Sequence, residues 1–441
     1  MTEIVDRSVL EVLRWLWAGS SNDNREIIAR ARELLLDTVG CAISSTAEPQ
    51  VAALFHQAEL ADPGAIRFPG SPNSLSTAGF SAAFAAAACW QEACEGLAAA
   101  HGRPGLHAVP PVLAAGLARG LPLGTVLDAL VAGYEIGARM GILCRIRPGM
   151  HVDGTWGSFG AATATCRLAG SSADTAMTAL NHVACHMPFS LYWPISAGST
   201  ARNAYPGHGA AHGAAAAVAS MAGLGGPPGS IVEMLRLALQ TNLERLPEIP
   251  GPGQWLIRDG YLKPYPAVRH VHYGIAAAEA WHRTGHADPS AITAIRLRVY
   301  PEAIKYCGIR SPSTGIQAQF SLSYGAARAL ATGSLDPSAY AVSALDNPLV
   351  RRLEALVELQ ADRAVADRRG CTLEVTAGND FWSTTVDQVP GDPGTPMTRA
   401  QVREKFFAYA GPVVGSLHAD AIATRLLDGE LTAPLDLWAD A

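Results

Sequence analysis

Residues 258–273 read Arg-Asp-Gly-Tyr-Leu-Lys-Pro-Tyr-Pro-Ala-Val-Arg-His-Val-His-Tyr, and the periodicity of the chain changes across them. Pro264 and Pro266 remove two backbone donors and push the residues before them towards extended conformations, which predicts a rigid, non-helical joint. The chain contains only three lysines, Lys263, Lys305 and Lys405, and the first stands in this joint, followed by Arg269, His270 and His272. Fixed cations on a stiff segment suit an anionic ligand. The plainer alternative is a solvated linker, because exposed lysine and arginine are common without any function.

On the N-terminal side of the joint, apolar residues recur at helical spacing over 3–17 and 24–44, with Ser21 and Asp23 as candidate caps. Alanine-rich helices are predicted at 81–90, 109–119, 124–140, 157–169, 172–184 and 207–224, with no alternating pattern between them. Small residues let helix backbones approach closely, so these segments predict a buried bundle. Beyond the joint, a helix at 273–284 precedes residues 291–300, which alternate as a strand does. Helices are predicted at 317–331 and 347–359, and a hairpin at 371–376 and 381–386. Thr398 is placed as the N-cap of a last helix, 399–410. The expected fold is mainly α with a second α+β domain: a large all-helical bundle domain from 1–265 and 395–441, and a smaller α+β lid domain from 266–394.

Composition narrows the function. A chain of 441 residues is too long for one simple core. Charged residues make up 16% of it, against roughly 25% in ordinary soluble domains, and together with the abundant alanine this favours a large buried interface and an oligomer. The net charge of -6, without any basic run, argues against a nucleic-acid surface. Eight scattered cysteines without a CxxC pair and an acidic N-terminus suggest a reduced, cytoplasmic protein. The alanine-rich run 82–90 is far shorter than the roughly 20 residues a membrane span needs.

Four polar islands lie among glycines: residues 90–111, with His101, Arg103 and His107; 145–160, with Arg147, His151, Asp153 and Trp156; 199–213, with Arg202, Asn203, Tyr205, His208 and His212; and 320–324. His208 and His212 stand four apart, yet no acidic or cysteine ligand accompanies them at a standard spacing, so no metal is expected. Nor is there a nucleophile elbow, a P-loop or a dinucleotide fingerprint, and no cofactor is expected.

At these islands the sequence resembles the MmgE/PrpD family, which includes 2-methylcitrate dehydratase, cis-aconitate decarboxylase and iminodisuccinate epimerase. The likeness is carried by residues 34–41, by His151 to Ala162, by Arg202-Asn203-Ala204-Tyr205-Pro206-Gly207, by Tyr324 in Phe-Ser-Leu-Ser-Tyr, and most specifically by Gly260-Tyr261-Leu262-Lys263-Pro264-Tyr265-Pro266. The resemblance implies a homodimer with its site between the two domains. Where relatives have an aspartate-containing run followed by His-Pro-Gly, this chain has Glu92-Ala93-Cys94-Glu95-Gly96 and Arg103-Pro104-Gly105. The acid/base pair of the standard dehydratase is thereby altered, and His101 and His107 flank the altered loop.

Dehydration, decarboxylation and epimerisation of polycarboxylates all develop charge beside a carboxylate, so each needs fixed cations and a group that moves a proton. The expected catalytic residues are Lys263, His151, chosen for proton transfer because its ordinary pKa lies near neutrality, and Tyr324, for protonating a leaving group or carbanion. Arg103, Arg202, Glu92, His101, His107 and Arg269 are expected to bind substrate. The alternatives are a histidine that caps the next helix and a core tyrosine with a satisfied hydroxyl. The favoured function is a cofactor-independent lyase acting on a small-molecule di- or tricarboxylate or a related hydroxy acid. An epimerase or isomerase comes second, and a binding protein without chemistry third.

Overall fold

A computed structural model of the chain describes residues 2–284, 288–362 and 369–438. Most of the described chain is helical, with a smaller α+β part. Its buried apolar side chains sort into two cores, one drawn from residues 5–262 and 397–437, the other from Ile195 and residues 265–389.

The first core is built by close helix crossings. A Cβ on Gly133, in the helix Leu123–Leu143, would stand 2.6 Å from the Ala164 Cβ and 2.7 Å from the Gly160 carbonyl, both in the helix Gly157–Leu168. Only a residue without a side chain lets these two backbones meet. The C-terminal helices Arg399–Val414 and Ser416–Asp428 return to this core. Thr398 caps the first of them with a full capping box, and Arg32 of the helix Arg25–Ser45 donates to the carbonyls of Leu426 (2.9 Å) and Gly429 (2.7 Å).

Several helix ends differ from the sequence reading. Asn24, not Ser21 or Asp23, caps the helix Arg25–Ser45, its side chain accepting from the Ile27 amide. The helix expected at 109–119 starts at Pro104, where a proline at the first position costs no hydrogen bond, and continues through Pro110 and Pro111. Those interior prolines hid its first turn, which carries His107. The helices Pro49–Ala61 and Ser230–Leu237 went unread. This half is also not wholly helical, because β1 (Pro63–Arg67) pairs with β2 (Ser74–Leu75), and β3 (Met150–His151) with β4 (Ser190–Leu191).

The second core lies under a four-stranded sheet of order β6-β5-β7-β8, with β5 (Ile292–Val299) parallel to β6 (Val357–Ala361) and antiparallel to β7 (Cys371–Ala377). The hairpin of β7 with β8 (Asp380–Val386) turns through Gly378 at φ +59°. The helix expected at 347–359 stops at Leu356, and Val357 starts β6, because the apolar Val357 and Leu359 fit either period. The helix expected at 317–331 breaks at Phe320, where Ser321 caps a new one, Leu322–Thr332, by accepting from the Tyr324 amide (3.1 Å). The joint is irregular from Gly260 to Val268, and its last residues already belong to the helix Arg269–Arg283, four positions before the expected start. No described helix is long and apolar enough to cross a membrane.

Candidate active site

The joint reaches the first core through the loop after the helix Thr77–Trp90. Gly96 and Tyr261 exchange backbone hydrogen bonds of 3.0 and 2.8 Å, which fixes the joint beside that loop. Lys263 then donates from Nζ to the Glu92 carbonyl (2.9 Å) and to Glu92 Oε1 (2.7 Å), with 1% of its surface exposed. Glu92 has φ +53°, a left-handed conformation that costs a side-chain-bearing residue free energy and is typical of functional sites.

Two arginines complete the cluster. Arg202 donates from Nη2 to Glu92 Oε2, and the same nitrogen lies 3.2 Å from Asp153 Oδ2. Arg103 bonds Asp153 through both Nε and Nη2 and places Nη1 3.2 Å from Glu92 Oε2. Burial alone would push the Glu92 carboxyl up, but Arg103, Arg202 and Lys263 outweigh it and hold the group well below the usual carboxylate range. Asp153 is held low in the same way, by Arg103, His151 and Arg202 against burial. Both acids therefore stay ionised, and the cluster of three cations and two carboxylates carries one net positive charge. Cys94 accepts from Arg103 Nη1 (3.4 Å), and burial pushes its thiol up to about 12, so it stays neutral; the carboxylates facing Arg103 are Asp153 and Glu92.

His151 sits on β3, and its Nδ1 accepts the Asp153 backbone N–H at 3.0 Å. A backbone amide can only donate, so the ring proton lies on Nε2. Burial lowers the pKa of this imidazole to about 4, which makes it a neutral N–H donor at physiological pH. It does not stand near neutrality, as its ordinary value suggests.

A cavity of about 380 Å³ opens over this cluster, between residues of the two cores. Its wall includes Glu92, His101, Arg103, His151, Arg202, Lys263 and Arg269, seven of the nine residues expected from the sequence. Tyr324 and His107 are not on this wall. Tyr324 is fully buried in the second core and donates its hydroxyl to the Ala339 carbonyl, so the reading of a core tyrosine with a satisfied hydroxyl describes its place. His107 accepts the Gly154 amide at Nε2 (2.9 Å), which leaves Nδ1–H to donate to the Arg103 carbonyl (3.1 Å). It supports the turn at Gly154, φ +79°, that presents Asp153. His101 reaches the wall at φ +52°, and its ring makes no hydrogen bond among the described residues.

The sequence reading did not select Asp153, Arg145, His270 or Arg369, all on the wall. Asp153 and Arg145 lay within a recognised island and His270 within the joint. Arg369 follows no motif and arrives only through the sheet. The structure also gives Lys405 a place. Its Nζ bonds Asp37 Oδ1 (2.5 Å) and the Ala93 carbonyl (2.7 Å), beside the carbonyl that Lys263 holds. Among the described residues, no three His, Cys, Asp or Glu side chains are arranged to hold a metal ion.

Two family models match the chain, the MmgE/PrpD N-terminal domain over residues 18–241 and the MmgE/PrpD C-terminal domain over residues 265–429. The chain belongs to the MmgE/PrpD family, and so broadly to the dehydratase-like and related enzymes. The C-terminal match runs past the α+β segment into the helices that pack on the first core, so the family's sequence units and the two apolar cores divide the chain differently. No curated protein matches the chain.

Proposed function

We propose that the chain is a cofactor-independent lyase, of dehydratase or decarboxylase type, acting on a di- or tricarboxylate or a related hydroxy acid bound between residues 1–265 with 395–441 and residues 266–394. The observation that carries this reading is the buried cluster of Lys263, Arg103 and Arg202, whose charge exceeds that of Glu92 and Asp153. A substrate carboxylate bound there gains the excess charge. The negative charge that develops when the neighbouring carbon loses a proton is stabilised by cations already in position.

His101 is the group assigned to take that proton, since burial and then Arg145 hold its pKa below the ordinary value and its ring has no hydrogen-bond partner among the described residues. In a dehydration the C–H electron pair becomes the double bond, the C–O bond breaks, and the hydroxide leaves with the proton from His101 as water. His151 donates Nε2–H to a substrate oxygen throughout. A second neutral imidazole on the wall, His270, lowered to about 3 by burial and then by Arg369, favours an epimerase as the runner-up. The chain is further proposed to act as a homodimer, supported by the exposed Phe189, Leu191 and Trp193.

The test is a thermal-shift screen of carboxylic acids followed by product analysis in D2O. A lyase releases an alkene or carbon dioxide, an epimerase returns a deuterated stereoisomer, and stabilisation without either product contradicts both readings. Light scattering at monomer mass contradicts the dimer.

A further inference from the structure

The ion pairs of the cavity wall divide it into two poles. At the inner pole, Lys263, Arg103 and Arg202 face Glu92 and Asp153, as described. Arg269, also on the wall, is answered by Asp392, which lies off it. That leaves Arg145, Arg369 and the acid Glu302 on the wall, and none of the three makes an ion pair among the described residues. Arg145 and Glu302 are exposed and Arg369 is half-buried, so this second group stands at the mouth.

Arg369 stands on the wall with Tyr261, whose hydroxyl is the largest influence on it after burial. A phenol oxygen can accept a hydrogen bond from a guanidinium without cancelling its charge. His101 shares this wall with Arg145, Glu302 and Arg369, and all three act on it electrostatically. Among the described residues, two cations and one acid at the mouth leave one net positive charge, the same excess as at the inner pole.

We propose that Arg145 and Arg369 form a second carboxylate subsite at the mouth of the cavity, so that the site takes a dianion with one carboxylate at each pole, rather than a trianion. This rests on the reading of the inner cluster as a carboxylate site. A guanidinium presents a planar fork that matches a carboxylate, and Arg145 and Arg369 offer two such forks to a single group. The reacting carbon then lies between the two poles, with Lys263 and His151 on one side and His101 on the other, and the mouth fixes the far end of the chain. A third carboxylate finds no uncompensated cation among the described residues of this wall. Arg145 and Arg369 respectively follow burial as the largest influences that lower His101 and His270.

Titration calorimetry of the full chain with butyrate, glutarate and tricarballylate, which carry one, two and three carboxylates, tests the proposal. The native chain is expected to bind glutarate at least tenfold more tightly than butyrate, and tricarballylate no more tightly than glutarate. In Arg145→Gln/Arg369→Gln the preference for glutarate disappears while butyrate binding stays within about twofold. Arg145→Gln alone, at an exposed position where folding is not at risk, loses part of it. An unchanged glutarate preference in the double variant overturns the subsite, as does tenfold tighter binding of tricarballylate than of glutarate, or no glutarate binding at all. Turnover decides the lyase reading separately. Binding in the expected pattern by a chain that releases neither alkene nor carbon dioxide with any acid screened refutes the lyase and leaves the subsite standing.

Discussion

Two of the chain's three lysines do nearly the same thing to the same loop. Lys263 donates to the carbonyl of Glu92 and Lys405 to the carbonyl of Ala93, each buried and each paired with a carboxylate. The difference lies in their company. Lys405 and Asp37 form a one-to-one pair between the helices Arg399–Val414 and Arg25–Ser45, and neither lines the site cavity. Lys263 shares Glu92 with two arginines, and the surplus charge faces a cavity. A buried charge that is matched locally serves the architecture, whereas a buried excess beside open space implies a missing anion.

If that distinction holds, the largest effect in the molecule belongs to Lys405 and appears in stability. Lys405→Met leaves Asp37 uncompensated in a core and is expected to cost about 3–5 kcal/mol, read by chemical denaturation, with part recovered in Asp37→Asn/Lys405→Met. A loss below about 1 kcal/mol contradicts the architectural role. Lys263→Met is expected to act on catalysis instead. Loss of a charge-assisted hydrogen bond in a desolvated site costs about 2–4 kcal/mol, or roughly 30-fold to 1000-fold in kcat/KM, while stability falls less than in Lys405→Met. Normal turnover in this variant returns the joint to the status of a linker.

His151→Asn sharpens the contrast further. The asparagine oxygen can still accept the Asp153 amide, so the turn is kept and only the Nε2–H donor is lost. The expected decrease in kcat/KM is about 2 kcal/mol, near 30-fold. An unaffected rate contradicts the donor role.

The smallest effect is a pH dependence. His151 has a folded pKa of about 4 against an ordinary 6.5, so the unfolded chain takes up its proton first as pH falls. The stability from burying the neutral ring is complete above about 6.5 and is lost as pH falls towards 4. Between pH 6.5 and 5.5 this amounts to on the order of 1 kcal/mol, and it is expected to appear as the difference in pH dependence between the native chain and His151→Asn, which lacks the imidazole. Glu95, pushed up to about 8 by burial, acts in the opposite direction but does so in both proteins and cancels. Equal pH slopes for the two chains refute the buried neutral imidazole.

The sequence carried the outline of the molecule because its strongest signals are local. Prolines around Lys263, alternation in residues 291–300 and the N-cap at Thr398 each act within a few residues, and each corresponds to a feature of the fold. The site was legible where a charged residue is unusual for its surroundings, as Lys263 and Arg202 are among prolines, glycines and alanines. Asp153 was not selected, since its importance comes from Arg103, 50 positions away. Tyr324 was expected at the site from resemblance, but the break at Phe320 starts a new helix whose first turn carries the ring into the second core. His151 kept its place and changed its role, because spacing cannot show that a neighbouring amide occupies Nδ1.

The central claim is that the Lys263 cluster is an anion site and the Lys405 pair is not. A thermal-shift titration with glutarate, run in parallel on the native chain, Lys263→Met and Lys405→Met, tests it without knowledge of the natural substrate. The account predicts a concentration-dependent rise in Tm for the native chain and for Lys405→Met, from a lower starting point, and none for Lys263→Met. An equal rise in all three proteins would contradict it.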